Sequence, residues 1–213
     1  MKKLFLLILL ISLTTVFGQT LKFDIFAKYS ISHSFSHKNT TTETSAFAIS
    51  SNDNYIMKFL NDPGIQKPTA NVYDLKSLKI YEFYITELKT KNGEINYKFT
   101  YSNTYKIAQE PVKDLNFDFQ RVSKENDIET VKLFFYKNKS KTKISNTLEL
   151  KILESKANLF PLFRFICFHL LGFTAELNYP NAGLVTHCVS ENGLSEYRLT
   201  AFEETSLELT LPN

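Results

Sequence analysis

Apolar residues alternate with polar ones along most of this chain, and that period constrains its fold more than any other feature. Leu21, Phe23, Ile25, Ala27 and Tyr29 alternate, as do Tyr55, Met57 and Phe59, then Ile95, Tyr97, Phe99 and Tyr101. Leu115, Phe117 and Phe119 repeat the pattern, followed by Leu148, Leu150 and Ile152, and by Leu207, Leu209 and Leu211. A period of two puts successive side chains on opposite faces, so each run predicts a half-buried strand. Val131–Tyr136 adds a nearly continuous apolar strand. Turn signals separate the runs: Ser51–Asn54, Asn92-Gly93 and Asn192-Gly193, whose residues tolerate positive φ. About ten short strands with such punctuation predict a mainly β fold with little helix after the leader. The antiparallel sheet forms an open barrel or a sandwich.

Two stretches break the pattern. Ser30–Ser45 is rich in Ser, Thr, Asn and His and reads as a long loop. Leu159–Phe173 is apolar on every side, so periodicity alone does not separate strand from helix. Pro161 suits either a first helical position or a strand edge. The β character of the rest favours a buried core strand here. Arg164, inside that run, is expected to reach the rim along a buried stem or to meet a carboxylate. No composition break or repeat divides the remainder. Residues 19–213 therefore read as a single β-rich domain, with Pro111 the one point where two halves could join.

Residues 1–18 read as an address. Lys2 and Lys3 precede the apolar run Leu4–Phe17, and Val16 and Gly18 suit a cleavage site that leaves Gln19 first. Ser12, Thr14 and Thr15 weaken the alternative of an anchor, which needs about 20 apolar residues. The expected location is the periplasm or the exterior, with no transmembrane segment in the mature chain. The leader holds two of the 25 basic residues and none of the 22 acids, so the mature surface is close to neutral. That balance gives no argument for nucleic acid as a partner. Cys167 and Cys188 are the only cysteines, and an oxidising compartment permits a disulfide between them. Two buried thiols are the alternative, favoured by the apolar surroundings of Cys167.

Familiar catalytic signatures are absent: no H-E-x-x-H, no G-x-S-x-G, no C-x-x-C, and six glycines leave little material for a phosphate loop. His33 and His37 stand about 13 Å apart if extended, too far for one ion, and read as solvated. Cys167, His169, His187 and Cys188 have the wrong spacing for a usual zinc set and read as packing residues. No metal or cofactor is expected. Lys137, Lys139, Lys141 and Lys143 alternate with Asn138, Ser140 and Thr142, so an extended segment would present four ammonium groups as one basic patch. The competing reading is an exposed hairpin tip between strands Glu129–Tyr136 and Thr147–Leu153. With 19 Phe, 11 Tyr and no Trp, a barrel of this size has material to line an acyl-chain cavity. Phe160, Phe163, Phe165 and Phe168 are the candidate ligand-binding residues.

At Asn54-Tyr55-Ile56-Met57, Val72–Lys76 and Asn158–Arg164 the chain resembles secreted β-rich proteins of Bacteroidota whose function is not characterised. The resemblance implies export and a β fold, and it transfers no activity or site residue. By architecture alone, open β-barrels that carry lipids or lipoproteins across the periplasm are a more distant analogy. The expected function is that of an exported, non-catalytic envelope protein acting by binding or scaffolding. The alternatives are a periplasmic carrier of a hydrophobic ligand and a secreted hydrolase with a dispersed acid pair.

Overall fold

The structure is a computed structural model that describes residues 18–35, 38–60, 67–89, 95–108, 114–168 and 172–213. The leader read from residues 1–17, the Asn92-Gly93 turn, Pro111, His37 and His169 lie outside these residues. Eleven strands follow in chain order: β1 (Thr20–Phe35), β2 (Lys38–Ile49), β3 (Asn52–Leu60), β4 (Thr69–Asp74), β5 (Lys79–Lys89), β6 (Ile95–Lys106), β7 (Asn116–Glu125), β8 (Ile128–Tyr136), β9 (Ile144–Leu153), β10 (Leu184–Ser190) and β11 (Ser195–Thr210). One helix, α1 (Phe160–Cys167), interrupts them between β9 and β10. All strands join one antiparallel sheet in the order β6-β5-β4-β3-β2-β1-β11-β10-β9-β8-β7. Two meanders, β1–β6 and β7–β11, are thus joined where the first strand pairs with the last, Leu21 opposite Leu209 and Ala27 opposite Phe202. The chain between β6 and β7, which contains Pro111, links the two sheet edges.

The sheet is not closed, because β6 and β7 remain unpaired edges, yet it cannot be flat. Eleven flat strands would set the edges about 48 Å apart, whereas the nine residues between β6 and β7 reach at most about 36 Å. The helix gives a tighter bound. Phe165 packs its ring 4.7 Å from Tyr73 of β4, and Phe160 packs 5.5 Å from Phe119 of β7. Eight strand spacings separate β4 from β7, about 38 Å if flat, against a helix about 12 Å long. The sheet therefore curls round α1. Of the two architectures expected, this is the open barrel.

Two expectations need correction. The run Leu159–Phe173 is no strand, since residues 160–167 form a helix with every side chain buried. A strand needs partners for its backbone, and β9 and β10 already bond to each other. A helix satisfies its own N–H and C=O groups, so it alone can sit inside a completed sheet with apolar residues all round. Pro161 in its first turn and the Asn158 side chain, which accepts the Phe160 N–H at 3.0 Å, start it. Gly183 lets the flanking strap lie against β9: a Cβ there would stand 2.5 Å from Ile152 Cγ2. Ser30–Ser45 is likewise no loop. β1 and β2 continue through it as a hairpin ladder, with Ile31 opposite Thr42 and Ser34 opposite Asn39. Ladder hydrogen bonds need no apolar side chains, and Thr suits extended backbone. The Lys137–Lys143 segment, by contrast, is the expected connection of the β8–β9 hairpin.

Two apolar clusters result. The larger joins α1 to Ile25, Ala27 and Tyr29 of β1 and to residues of β2, β3 and β8–β11. The second gathers Leu21, Phe23, Met57, Val72, Phe83 and Leu209. Ile56 and Met57 are adjacent and both fully buried, so β3 is covered on both faces. Among the described residues no helix is long and apolar enough to cross a membrane.

Candidate functional site

The four phenylalanines proposed from the sequence divide by role. Phe160 and Phe163 are fully buried and fill the space inside the sheet; Phe163 touches the rings of Tyr29, Phe168 and Tyr197. Phe168 packs on Phe163 and Tyr197 in the same mass of aromatic contacts. Only Phe165 faces open space, at the far end of α1. There Ile31, Thr44, Lys58, Tyr73, Ile80 and Phe173 join it and Ile166 around a cavity of about 550 Å³. That volume is in the range of small-molecule sites, and its walls mix apolar side chains with polar ones.

The polar member that stands out is Lys58. It leaves β3 opposite Asn71 of β4, and its ammonium lies 4.8 Å over the Phe165 ring. Burial pulls its pKa below the ordinary lysine value, and the neighbouring Cys167 acts weakly in the other direction. Beside it Asn71 keeps a buried side-chain oxygen without a donor. His33 lines the same cavity from β1, with Nδ1 2.9 Å from the Ser195 hydroxyl, so it is a built-in strand residue and not the solvated loop histidine expected. Lys58 was missed in the sequence because its place in the Tyr55–Phe59 alternation assigns it to a wet face. The only hint was Ile56, an apolar residue on that same face.

Cys167 and Cys188 are both buried and unbridged, which removes the permitted disulfide and leaves the buried-thiol alternative. Burial pushes both thiols up in pKa, so neither is an activated nucleophile. Arg164 also departs from expectation, since it reaches neither the rim nor a carboxylate. It is 3% exposed and donates through one guanidinium nitrogen to the backbone carbonyls of Leu177 and Ala175. Burial lowers its pKa to about 10, which leaves it charged at neutral pH. Its Nε and the Thr174 hydroxyl lack partners. The guanidinium, on which Asp53 acts only at longer range, thus pins residues 175–177 against α1.

The four lysines form no common patch with this cavity. Lys139 pairs with Asp114 at 2.8 Å, and Lys141 pairs with Asp118 and with the carbonyl of Phe117. Carboxylates do gather elsewhere, around an opening of about 260 Å³ lined by Asp127, Glu129 and Glu154. Glu154 is held by Lys124 at 2.9 Å, below its ordinary pKa, while Glu129 accepts from Arg121 at 3.0 Å and from the Tyr179 hydroxyl. Two of the three carboxylates are thus engaged by cations. A third opening, about 610 Å³ beside Leu159, carries exposed Lys156 and Glu204 on its rim, and its Asp24 is occupied by the Ser50 N–H and hydroxyl. Among the described residues none of its lining side chains carries a buried polar atom without a partner. Comparison with known proteins finds no matching family model and no significantly similar curated protein, so the assignment rests on this geometry.

Proposed function

We propose that the protein is an exported, non-catalytic binding protein whose cavity at the end of α1 takes the apolar part of one small amphiphile. The observation that carries this reading is the 550 Å³ space with Phe165, Ile166, Tyr73 and Ile31 in its walls, beside a helix whose residues are all buried. A carrier with a wholly hollow barrel is disfavoured by that buried helix; a single occupant at one end is not. Export rests on Lys2, Lys3 and the apolar run that follows.

The cavity reading is tested by titrating a neutral fluorescent apolar probe, N-phenyl-1-naphthylamine, into the wild type and Thr44→Trp. Thr44 is half-buried in the cavity wall on β2, so the larger ring fills space without entering the packed core. Saturable binding with one site in the wild type, weakened at least about tenfold in Thr44→Trp at unchanged unfolding midpoint, is expected. Equal binding by both proteins, or none by the wild type, would overturn the reading.

A further inference from the structure

The same cavity contains a cation that meets no carboxylate among the described residues. Lys22, Lys28, Lys124, Lys139 and Lys141 each meet a carboxylate. Lys58 meets none among the described residues; its one close contact is the Phe165 ring. By register the nearest acid on its face is Glu82, two strands away across Asn71, and Glu82 accepts the Ser102 hydroxyl instead. A largely buried ammonium is disfavoured unless something compensates it, and an aromatic face compensates only in part. This lysine nevertheless stands in the wall of a cavity beside Phe165, Ile166, Tyr73 and Ile80.

We infer that Lys58 anchors the anionic headgroup of a ligand whose chain lies along Phe165, Ile166, Tyr73 and Ile80. The ligand class is a single-chain amphiphile with a compact oxyanion at one end, as in a fatty acid or an alkyl phosphate. The inference rests on the cavity reading above and adds to it the chemistry of the headgroup. An anion over Lys58 makes a charge-assisted hydrogen bond inside a poorly solvated site, where such bonds are strongest. A cationic headgroup would meet repulsion there, and an alcohol would leave the charge uncompensated.

The test displaces N-phenyl-1-naphthylamine with four ligands of one chain length: decanoate, decyl phosphate, decanol and decyltrimethylammonium. In the wild type the two anions should displace the probe at least about tenfold more tightly than decanol, and the ammonium most weakly. The carboxylate and phosphate arms separate the two sources of the headgroup. In Lys58→Met and in Lys58→Gln the anionic preference should disappear while decanol still binds. If decanol matches the anions in the wild type, or if the preference survives both substitutions, the headgroup inference is overturned and the cavity reading stands. If neither the probe nor any of the four ligands binds the wild type, both fall.

Discussion

Phe163 shows how much one side chain holds in this interior. It is fully buried, and four aromatic rings lie within 6.2 Å of its own. Phe163→Ala is expected to cost about 3–5 kcal/mol in urea unfolding; a loss below about 1 kcal/mol would mean that α1 does not carry the core. The thiols beside it give a pH signature. Cys167 and Cys188 are pushed up by burial, and Tyr197 is pushed up to about 12 by the same cause. Unfolded thiols lose their protons near pH ~8.5. Above that pH the unfolded chain binds fewer protons than the folded one, so the stability these groups contribute is complete below it and falls as pH rises. Each thiol contributes a slope of about 1.4 kcal/mol per pH unit. Lys58, lowered by burial, acts in the opposite sense, which makes the comparison of slopes the useful reading. Between pH ~9 and ~10 the fall measured by chemical unfolding should be shallower in Cys188→Ala by about 1 kcal/mol per pH unit. An identical slope in both proteins would contradict two buried neutral thiols.

Among the elements, the β8–β9 hairpin was legible in the sequence and α1 was not. The hairpin's alternation and polar tip fix both strands to within a few residues, and a short-range pattern suffices because its partners are adjacent in the chain. Its tip is organised by Asn138 rather than by the lysines. The Asn138 side chain accepts the N–H groups of Thr142 and Lys143 and donates to the hydroxyls of Ser140 and Thr142. Asn138→Ala should therefore cost about 1–2 kcal/mol in thermal or urea unfolding, whereas Lys137→Ser with Lys143→Ser should change stability by less than about 0.5 kcal/mol. The reverse order would show that the lysines, not the amide, hold the turn. The helix was illegible because its environment decides it. An apolar run suits any buried element, and only a sheet already complete on both sides of it excludes another strand. The Ser30–Ser45 hairpin failed for the complementary reason, since polarity was taken for absence of structure while the partner strand supplied the bonds.

At the scale of the molecule, alternation foretold the antiparallel sheet and the short chain between its edges foretells its curl. What occupies the inside was not written locally. Lys58 lies three strands from the β1–β11 seam, and Phe165 is more than a hundred residues away in sequence; only the curling of β4 and β7 onto the two ends of α1 brings them together. The account's central claim is that this meeting point is a ligand site. Backbone amide shifts of the full chain, recorded by NMR during titration with decanoate, test it most directly. Saturable, one-site shifts concentrated at Ile31, Thr44, Lys58, Tyr73, Phe165 and Ile166 are predicted. Shifts that never saturate, or that centre on the opening beside Ile25 and Phe202, would contradict it.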